Sequence, residues 1–219
     1  MKKNMQTKKE HIRNHIAVVA KRVFLEKGFA KTSMRDIANE SGVGLGNLYN
    51  YFMCKNELFK YIVAPLIAEM NNMLQEHYNE RYSEQFLNFA DGDADAMIVD
   101  YIKAYIRLIG NHQDELRLVM FKAQGSSLEN FIDEYVERCT RQTMAFMEKF
   151  KADHPHFGAV RTTFTYHIHT VWMFNFILEI VKQRLTPDEI EKAVNDYIEF
   201  EFIGWQNIIN QQKNNKNEN

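Results

Sequence analysis

The most distinctive chemistry in this sequence lies in a short uncharged run that begins at Leu45 and reads LGNLYNYF. On a helical wheel Leu48 and Phe52 share one side, which predicts a buried face. Amide side chains read base edges in the major groove of DNA, and glycine lets a helix approach closely. The same pattern also fits an ordinary helical hairpin with a solvated face. The side opposite Leu48 presents amides, a phenol and bare backbone, from Gly46, Asn47, Tyr49 and Asn50.

A preceding helix has to position this face. Ser33 and Asp36 have the spacing of a capping box, which predicts a helix start. Gly42 permits the positive φ that ends one helix before another begins at a steep angle. The pattern therefore predicts a helix-turn-helix over Thr32–Lys55, whose second helix runs from Leu45 to about Met53.

Other groups near this element suit phosphates. Lys55 begins the next helix, where a cation opposes the helix dipole unless an anion such as phosphate compensates it. Such contacts position a protein on DNA without reading its sequence. The predicted phosphate contacts are Ser33, Tyr49, Tyr51 and Lys55, and Arg35, near the start of the preceding helix, is a candidate for phosphate as well as for a base. The predicted base contacts are Asn47 and Asn50 to adenine, Leu45 to a thymine methyl and Arg35 to guanine, with Gly46 allowing close approach.

A larger set of positions at fixed spacing spans about fifty residues and consists of Ala20, Phe24, Gly28, Phe29, Thr32, Ile37, Ala38, Gly42, Val43, Gly46, Leu48, Tyr49, Phe52, Lys55 and Leu58. This set closely resembles the DNA-binding domain of the TetR family of bacterial transcriptional regulators. The resemblance implies a homodimeric repressor that binds a palindromic operator and is released by a small molecule. Gly44, Leu45 and Cys54 depart from the residues that the family often has there.

Charge is distributed unevenly along the chain. Residues 1–60 contain 12 Lys and Arg against 5 Asp and Glu, whereas the remainder contains 15 against 24. The basic part coincides with the predicted helix-turn-helix. This agreement favours a nucleic-acid-binding module joined to a module that repels DNA.

Composition predicts an all-α protein of ordinary soluble type. The 219 residues are 45% hydrophobic and 26% charged, with only 3 Pro and 9 Gly, and no run of alternating β-branched residues occurs. No apolar run reaches the roughly 18 residues of a membrane span. Met1–Lys9 is polar and basic, unlike a signal peptide. We therefore expect a cytoplasmic protein without a membrane segment.

Caps and breakers predict about nine helices. We expect a helix-turn-helix DNA-binding domain over residues 1–55, a helical effector-binding and dimerisation domain over 56–210, and a disordered tail over 211–219. Met1–Lys9 is expected to be a basic arm that touches DNA or frays, and Pro65 is expected to bend or split a connecting helix. Besides the two helices of the helix-turn-helix, the predicted helices cover about residues 9–27, 55–82, 95–109, 112–123, 126–151, 157–184 and 187–210.

The last two predicted helices carry more apolar surface than one chain buries. Residues 157–184 are apolar nearly all round, and residues 187–210 carry a wide apolar stripe. An isologous two-fold dimer packed as a four-helix bundle would cover these faces. The alternative is a core formed entirely within one chain.

Polar groups on these apolar helices are candidate contacts for a small-molecule effector, whose identity the sequence does not predict. The chain contains 11 Met and 13% aromatic residues, which suit adaptable apolar pockets as well as ordinary cores. The predicted effector-binding residues are Met70, Tyr105, Phe121, Tyr135, His167, Trp172 and Asn175.

No motif indicates catalysis. His167 and His169 lie two residues apart, so a helix directs them to different faces and they cannot chelate one ion. Cys54 and Cys139 form no CxxC pair, and no GxSxG, HExxH or phosphate-binding glycine loop occurs. We therefore expect no enzyme activity, metal or cofactor. The competing hypothesis is a helical small-molecule- or protein-binding module that does not bind DNA.

Overall fold

The computed structural model describes residues 2–76, 80–91, 95–155 and 161–214. All regular structure within these ranges is helical, which confirms the all-α prediction. Ten α-helices and one π-helical segment are present there instead of about nine helices. They are α1 Lys2–Lys27, α2 Met34–Ser41, α3 Leu45–Tyr49, α4 Lys55–Glu76, α5 Glu80–Asp91, α6 Asp95–Asn111, α7 Gln113–Arg117, the π-helical segment Leu118–Lys122, α8 Phe131–Asp153, α9 Thr163–Gln183 and α10 Pro187–Asn214.

The chain divides into two compact units. The first combines Met1–Ala68 with His112–Ile132, and the second combines Glu69–Asn111 with Asp133–Asn219. The first unit therefore contains α1 to α3, the start of α4, α7 and the π-helical segment. The domain boundary predicted between residues 55 and 56 stays a prediction.

Three aromatic rings form the centre of the first unit. Phe59 of α4 packs edge-on against Phe24 of α1 and against Phe29, with ring centroids 5.2 Å apart in both pairs. All three side chains are buried, as are Ile16 and Leu48. Burial of this much apolar area fixes α1, α3 and α4 against one another.

The segment His112–Ile132 belongs to the scaffold of the first unit although it is distant in sequence. Its bonds reach α1, the loop after α1 and the start of α4, so they hold the frame that positions α2 and α3. The bonds join the Phe29 N–H to the Lys122 carbonyl (2.8 Å), Lys21 Nζ to Glu115 Oε1 (3.1 Å), and the Asn56 side chain to Ser127 through two bonds of 2.9 Å.

The second unit has an aromatic cluster between α5 and α8. Phe86 meets Phe146 and Phe150 edge-on, with centroids 5.4 and 4.8 Å apart. Helix α6 packs mainly against α10 and α5. Nε2 of His169 in α9 lies 2.7 Å from Oε2 of Glu201 in α10, a contact that ties the last two helices together.

Several boundaries in the first part of the chain differ from the prediction. Helix α1 begins at Lys2, so Lys2–Lys9 is helical instead of forming an arm. Helix α3 ends at Tyr49 instead of about Met53, because the Asn50 N–H bonds back to the Asn47 carbonyl at 3.0 Å and tightens the turn. Helix α4 continues through Pro65 without splitting.

The middle of the chain also departs from expectation. Helix α4 ends at Glu76 and a separate helix α5 begins at Glu80, where one helix to Tyr82 was expected; residues 77–79 lie outside the described ranges. The spacing of Ser126 and Glu129 suggests a capping box, but the Ser126 hydroxyl accepts the Leu128 N–H at 3.0 Å and Glu129 Oε2 accepts the Gly125 N–H at 2.8 Å instead. These bonds close a turn, so α8 begins later, at Phe131.

The last two helices are displaced at their ends. Helix α9 begins at Thr163, where the Thr162 hydroxyl accepts the Thr165 N–H, and the predicted start at Phe157 lies among residues outside the described ranges. Helix α10 extends to Asn214, so Gln211–Asn214 of the expected tail are helical. Residues 215–219, the rest of that tail, lie outside the described ranges. Across the described ranges, no helix is both long and apolar enough to cross a membrane.

Gly42 offers a direct test of the turn between α2 and α3. Its φ of 66° lies in the left-handed region, and a Cβ there would meet nothing within 4 Å. Gly42→Ala should therefore lower the free energy of unfolding by about 1–2 kcal/mol through backbone strain alone. The measurement is urea denaturation.

Gly46 is the matched control, because it lies inside α3 with equally open surroundings. Gly46→Ala should raise the free energy of unfolding by about 0.5–1 kcal/mol, since alanine favours a helix. Equal effects of the two substitutions would contradict the assignment of Gly42 as the strained position.

Candidate nucleic-acid interface

A capping box holds the start of α2. The Ser33 hydroxyl accepts the Asp36 N–H at 3.1 Å, while Asp36 Oδ2 accepts the Ser33 N–H at 2.8 Å and the Ser33 hydroxyl at 2.6 Å. Hydrogen bonds from Ser33 keep the pKa of the Asp36 carboxyl below its ordinary value, so the cap is ionised at neutral pH. The predicted phosphate contact Ser33 is exposed, and its hydroxyl already serves the helix.

A turn at Gly42 separates α3 from α2. Gly42 ends α2 in the left-handed conformation, and the imidazole of His15 in α1 holds the Ser41 carbonyl at 3.0 Å. Helix α3 has no side-chain cap at Gly44. Its orientation is set instead by Leu48 and Phe52, which are both 0% exposed.

The outer side of α3 brings together the four residues predicted for it. Gly46, Asn47, Tyr49 and Asn50 are all exposed, and the Asn50 amide lies 3.4 Å from the Asn47 amide oxygen. Leu45 and Tyr51 are half-buried beside this face. The arrangement presents two neighbouring amides on a slim, uncharged surface, which is the chemistry that recognises base edges.

The two predicted cations have different surroundings. Arg35 is exposed on α2, and no hydrogen bond or ion pair to another described residue holds its guanidinium. Lys55 donates from Nζ to the carbonyls of Phe29 and Thr32, both at 2.7 Å, and lies 4.1 Å from the Phe29 ring centroid. Burial lowers the pKa of Lys55. Lys55 thus joins the loop before α2 to α4, and its phosphate contact stays a prediction.

One structural cation was missed in the sequence. The guanidinium of Arg13 in α1 lies over the rings of Phe52 and Tyr61, 5.1 and 4.6 Å from their centroids. The contact supports the chain directly after α3. Sequence periodicity gives no signal for it, because the partners are distant along the chain. Met53, which is 81% exposed beside the interface, was also not assigned a role.

The second unit brings together only part of the predicted effector set. The buried Tyr135 hydroxyl donates to the Met70 carbonyl at 2.6 Å, and the Tyr105 hydroxyl donates to Met173 Sδ at 2.7 Å. The remaining positions are less enclosed. His167 is half-buried, Trp172 is 59% exposed, Asn175 is exposed with its amide on the Val171 carbonyl, and Phe121 belongs to the first unit and is 42% exposed.

Neither metal nor thiol chemistry is built into the described residues. They contain no group of three or more His, Cys, Asp or Glu side chains suited to a metal ion. His169 is engaged by Glu201. Cys139 is buried, and desolvation raises its pKa to about 12, whereas Cys54 is exposed.

Comparisons with known proteins agree with this geometry. Residues 16–62 match the family described as bacterial regulatory proteins, tetR family. YfiR, an uncharacterised HTH-type transcriptional regulator of Bacillus subtilis, is 41% identical over 54 residues, which make up 25% of this chain and 26% of that protein. The match thus spans about a quarter of the length of this relative.

Solved structures resemble the chain over most of its length. One is the TetR family transcriptional regulator PfmR from Thermus thermophilus, with a TM-score of 0.59 and 16% identity over 85% of this chain and 93% of that one. Another is MexZ, described as a key repressor responsible for antibiotic resistance in Pseudomonas aeruginosa, with a TM-score of 0.56 and 19% identity over 86% and 95%. At these identities the likeness concerns the fold.

The helix-turn-helix with its exposed amide face lies within the segment that matches the tetR family. The N-terminal domain is that of the TetR family of bacterial regulatory proteins, and the chain has the all-helical fold of TetR family regulators. The resemblance read from the sequence is thereby confirmed.

Asn50→Ala tests the amide face. A bidentate amide contact contributes about 1–3 kcal/mol of discrimination, so affinity for bound DNA should fall roughly 5- to 150-fold. The measurement is fluorescence anisotropy with DNA from upstream of the protein's own coding sequence. Asn39→Ala, an exposed asparagine on α2, is the control and should leave affinity within about twofold. Equal losses from the two substitutions would argue against base reading by Asn50.

Proposed function

We propose that this protein is a homodimeric repressor that binds a palindromic operator in the cytoplasm and leaves it when a small molecule binds the second unit. The observation that carries the proposal is the outer face of α3. It is exposed, uncharged and rich in amides, while its inner face is sealed by Leu48 and Phe52. Dimerisation would place two such faces about 34–36 Å apart, one turn of DNA.

Contacts to phosphates supply the affinity in this proposal. The proposed contacts are Arg35, which is exposed on α2, together with Tyr49, Tyr51, Lys55 and Ser33. Residues 1–60 carry a surplus of cations, which favours an anionic partner. Base reading by Asn47 and Asn50 then adds sequence preference.

The dimer contact is proposed to involve α9 and α10. Phe164 and Trp172 on α9 are 70% and 59% exposed, and Phe200 and Ile203 on α10 are 72% and 54% exposed. Four large apolar side chains on two adjacent helices of one unit exceed what a monomer normally presents to water. A second copy related by a two-fold axis would cover them.

Release by an effector requires different affinities for two states of the protein. A small molecule that binds the second unit more tightly in the released state would shift the population away from the DNA-binding state. The effector contacts proposed in the second unit are Tyr135, Met70, Tyr105, His167, Trp172 and Asn175; Phe121, predicted with them, belongs to the first unit.

The proposal is tested by the salt dependence of DNA binding. Arg35→Ala should weaken binding and reduce the slope of log affinity against log salt by about 1, the loss of one phosphate contact, whereas a base contact alone would leave the slope unchanged. Arg22→Ala is the control, because Arg22 is already paired with Glu40 at 2.8 Å.

The outcome that would reject the function is a wild-type protein with no saturable DNA binding. Such a result would support the competing function, a helical module that binds small molecules or proteins without DNA. If DNA binding is saturable but the salt slope is the same in the wild type and Arg35→Ala, the proposed function is supported and the phosphate contact of Arg35 is rejected.

Trp172→Glu tests the dimer. A carboxylate in an apolar interface is costly, so the wild type should have twice the monomer mass by light scattering and this variant should shift toward one copy. Val18→Glu is the control, because Val18 is 66% exposed on α1 in the other unit. Dimers of unchanged stability in Trp172→Glu would place the interface elsewhere.

A further inference from the structure

Arg138 on α8 is a cation whose contacts within the described residues are all with neutral groups. Its Nη2 donates to Asn71 Oδ1 at 2.6 Å, and its guanidinium lies 4.8 Å from the Tyr135 ring centroid. No carboxylate among the described residues pairs with it. The acidic neighbour Glu137 is paired instead with Arg141, at 3.7 Å. Arg138 is therefore a half-buried positive charge held only by neutral groups.

The Nε–H of Arg138 is also unsatisfied. This atom is buried and has no acceptor among the described residues, as is also the case for Nε of Arg13 and Arg161. A buried donor on a charged group that lacks an acceptor destabilises the folded chain, so a water, an ion or a ligand that supplies the acceptor would be favourable there. An oxygen at this position would complete the fork of guanidinium donors.

Buried side chains adjoin Arg138 on α8 and adjoin its partner Asn71 on α4. Tyr135, Met70 and Cys139 are buried, and Tyr135 meets Phe174 edge-on with centroids 5.5 Å apart. The bond from the Tyr135 hydroxyl to the Met70 carbonyl fixes the ring beneath the guanidinium. A ligand that enters here would meet a positive charge at one end and apolar side chains beside it.

We propose that the effector carries an anionic oxygen group, a carboxylate or a phosphate, on an apolar body, and that the Arg138 guanidinium binds this group through Nε–H. The inference rests on the proposed function, because it names the chemistry of its effector. It also gives a role to a cation that no described carboxylate pairs with, in a part of the chain whose net charge is negative.

The test compares acids with their neutral alcohols on the full chain in the absence of DNA. The probes are decanoate with decan-1-ol, 3-phenylpropanoate with 3-phenylpropan-1-ol, and decyl phosphate, with binding measured by calorimetry. The wild type should bind at least one anion about 10-fold more tightly than its neutral partner. Tighter binding of decanoate than of decyl phosphate would indicate a carboxylate on the effector, and the reverse order would indicate a phosphate.

Arg138→Met should abolish this preference, and Arg141→Met should keep it. Arg141 is the matched control because it lies one turn further along the same helix, is exposed and is paired with Glu137. Without ligand, Arg138→Met should unfold at the same or a higher urea concentration than the wild type, since it removes an unsatisfied buried donor.

Three results would overturn the inference. The first is equal binding of every anion and its alcohol by the wild type, as expected if water satisfies Nε. The second is an unchanged preference for the anion in Arg138→Met, and the third is a loss of that preference together with reduced stability, as expected of a structural arginine. DNA binding is measured separately. If the protein prefers anions through Arg138 but does not bind DNA, the inference about Arg138 is supported and the proposed function is rejected.

Discussion

The interface depends on the burial of Leu48 and Phe52. Helix α3 has only five residues and no side-chain cap, and an isolated helix of that length is unstable in water. Its conformation is therefore maintained by the apolar core beneath it, where both side chains are fully buried. Because these residues are inside, the amides of Asn47 and Asn50 must face outward.

Polar contacts hold the frame around this core. Lys55 joins two carbonyls of the loop before α2 to the start of α4, and Arg13 braces the chain after α3 through the rings of Phe52 and Tyr61. The segment His112–Ile132 completes the unit through bonds to α1 and α4. Lys55, which was predicted to contact phosphate, therefore has a structural task in the folded chain.

The second unit contains groups that a binding partner would cover or pair with. Its apolar residues Trp172 and Phe200 face outward on the last two helices, which suits a second copy of the chain. Within the described part of the chain, its Arg138 has neither a carboxylate partner nor an acceptor for Nε, which suits the proposed anionic ligand. Under the proposed function, binding partners would satisfy these groups, and leaving them exposed or unpaired costs the free protein some stability.

Sequence alone determined the helix-turn-helix and its exposed face, because local signals control them. The capping box at Ser33, the left-handed turn at Gly42 and the inward pair Leu48 and Phe52 act within a few residues. Tertiary structure decided the early end of α3, the structural task of Lys55, the contact of Arg13 with two rings and the isolation of Arg138. These features depend on groups that are distant along the chain, and periodicity carries no information about which distant groups meet.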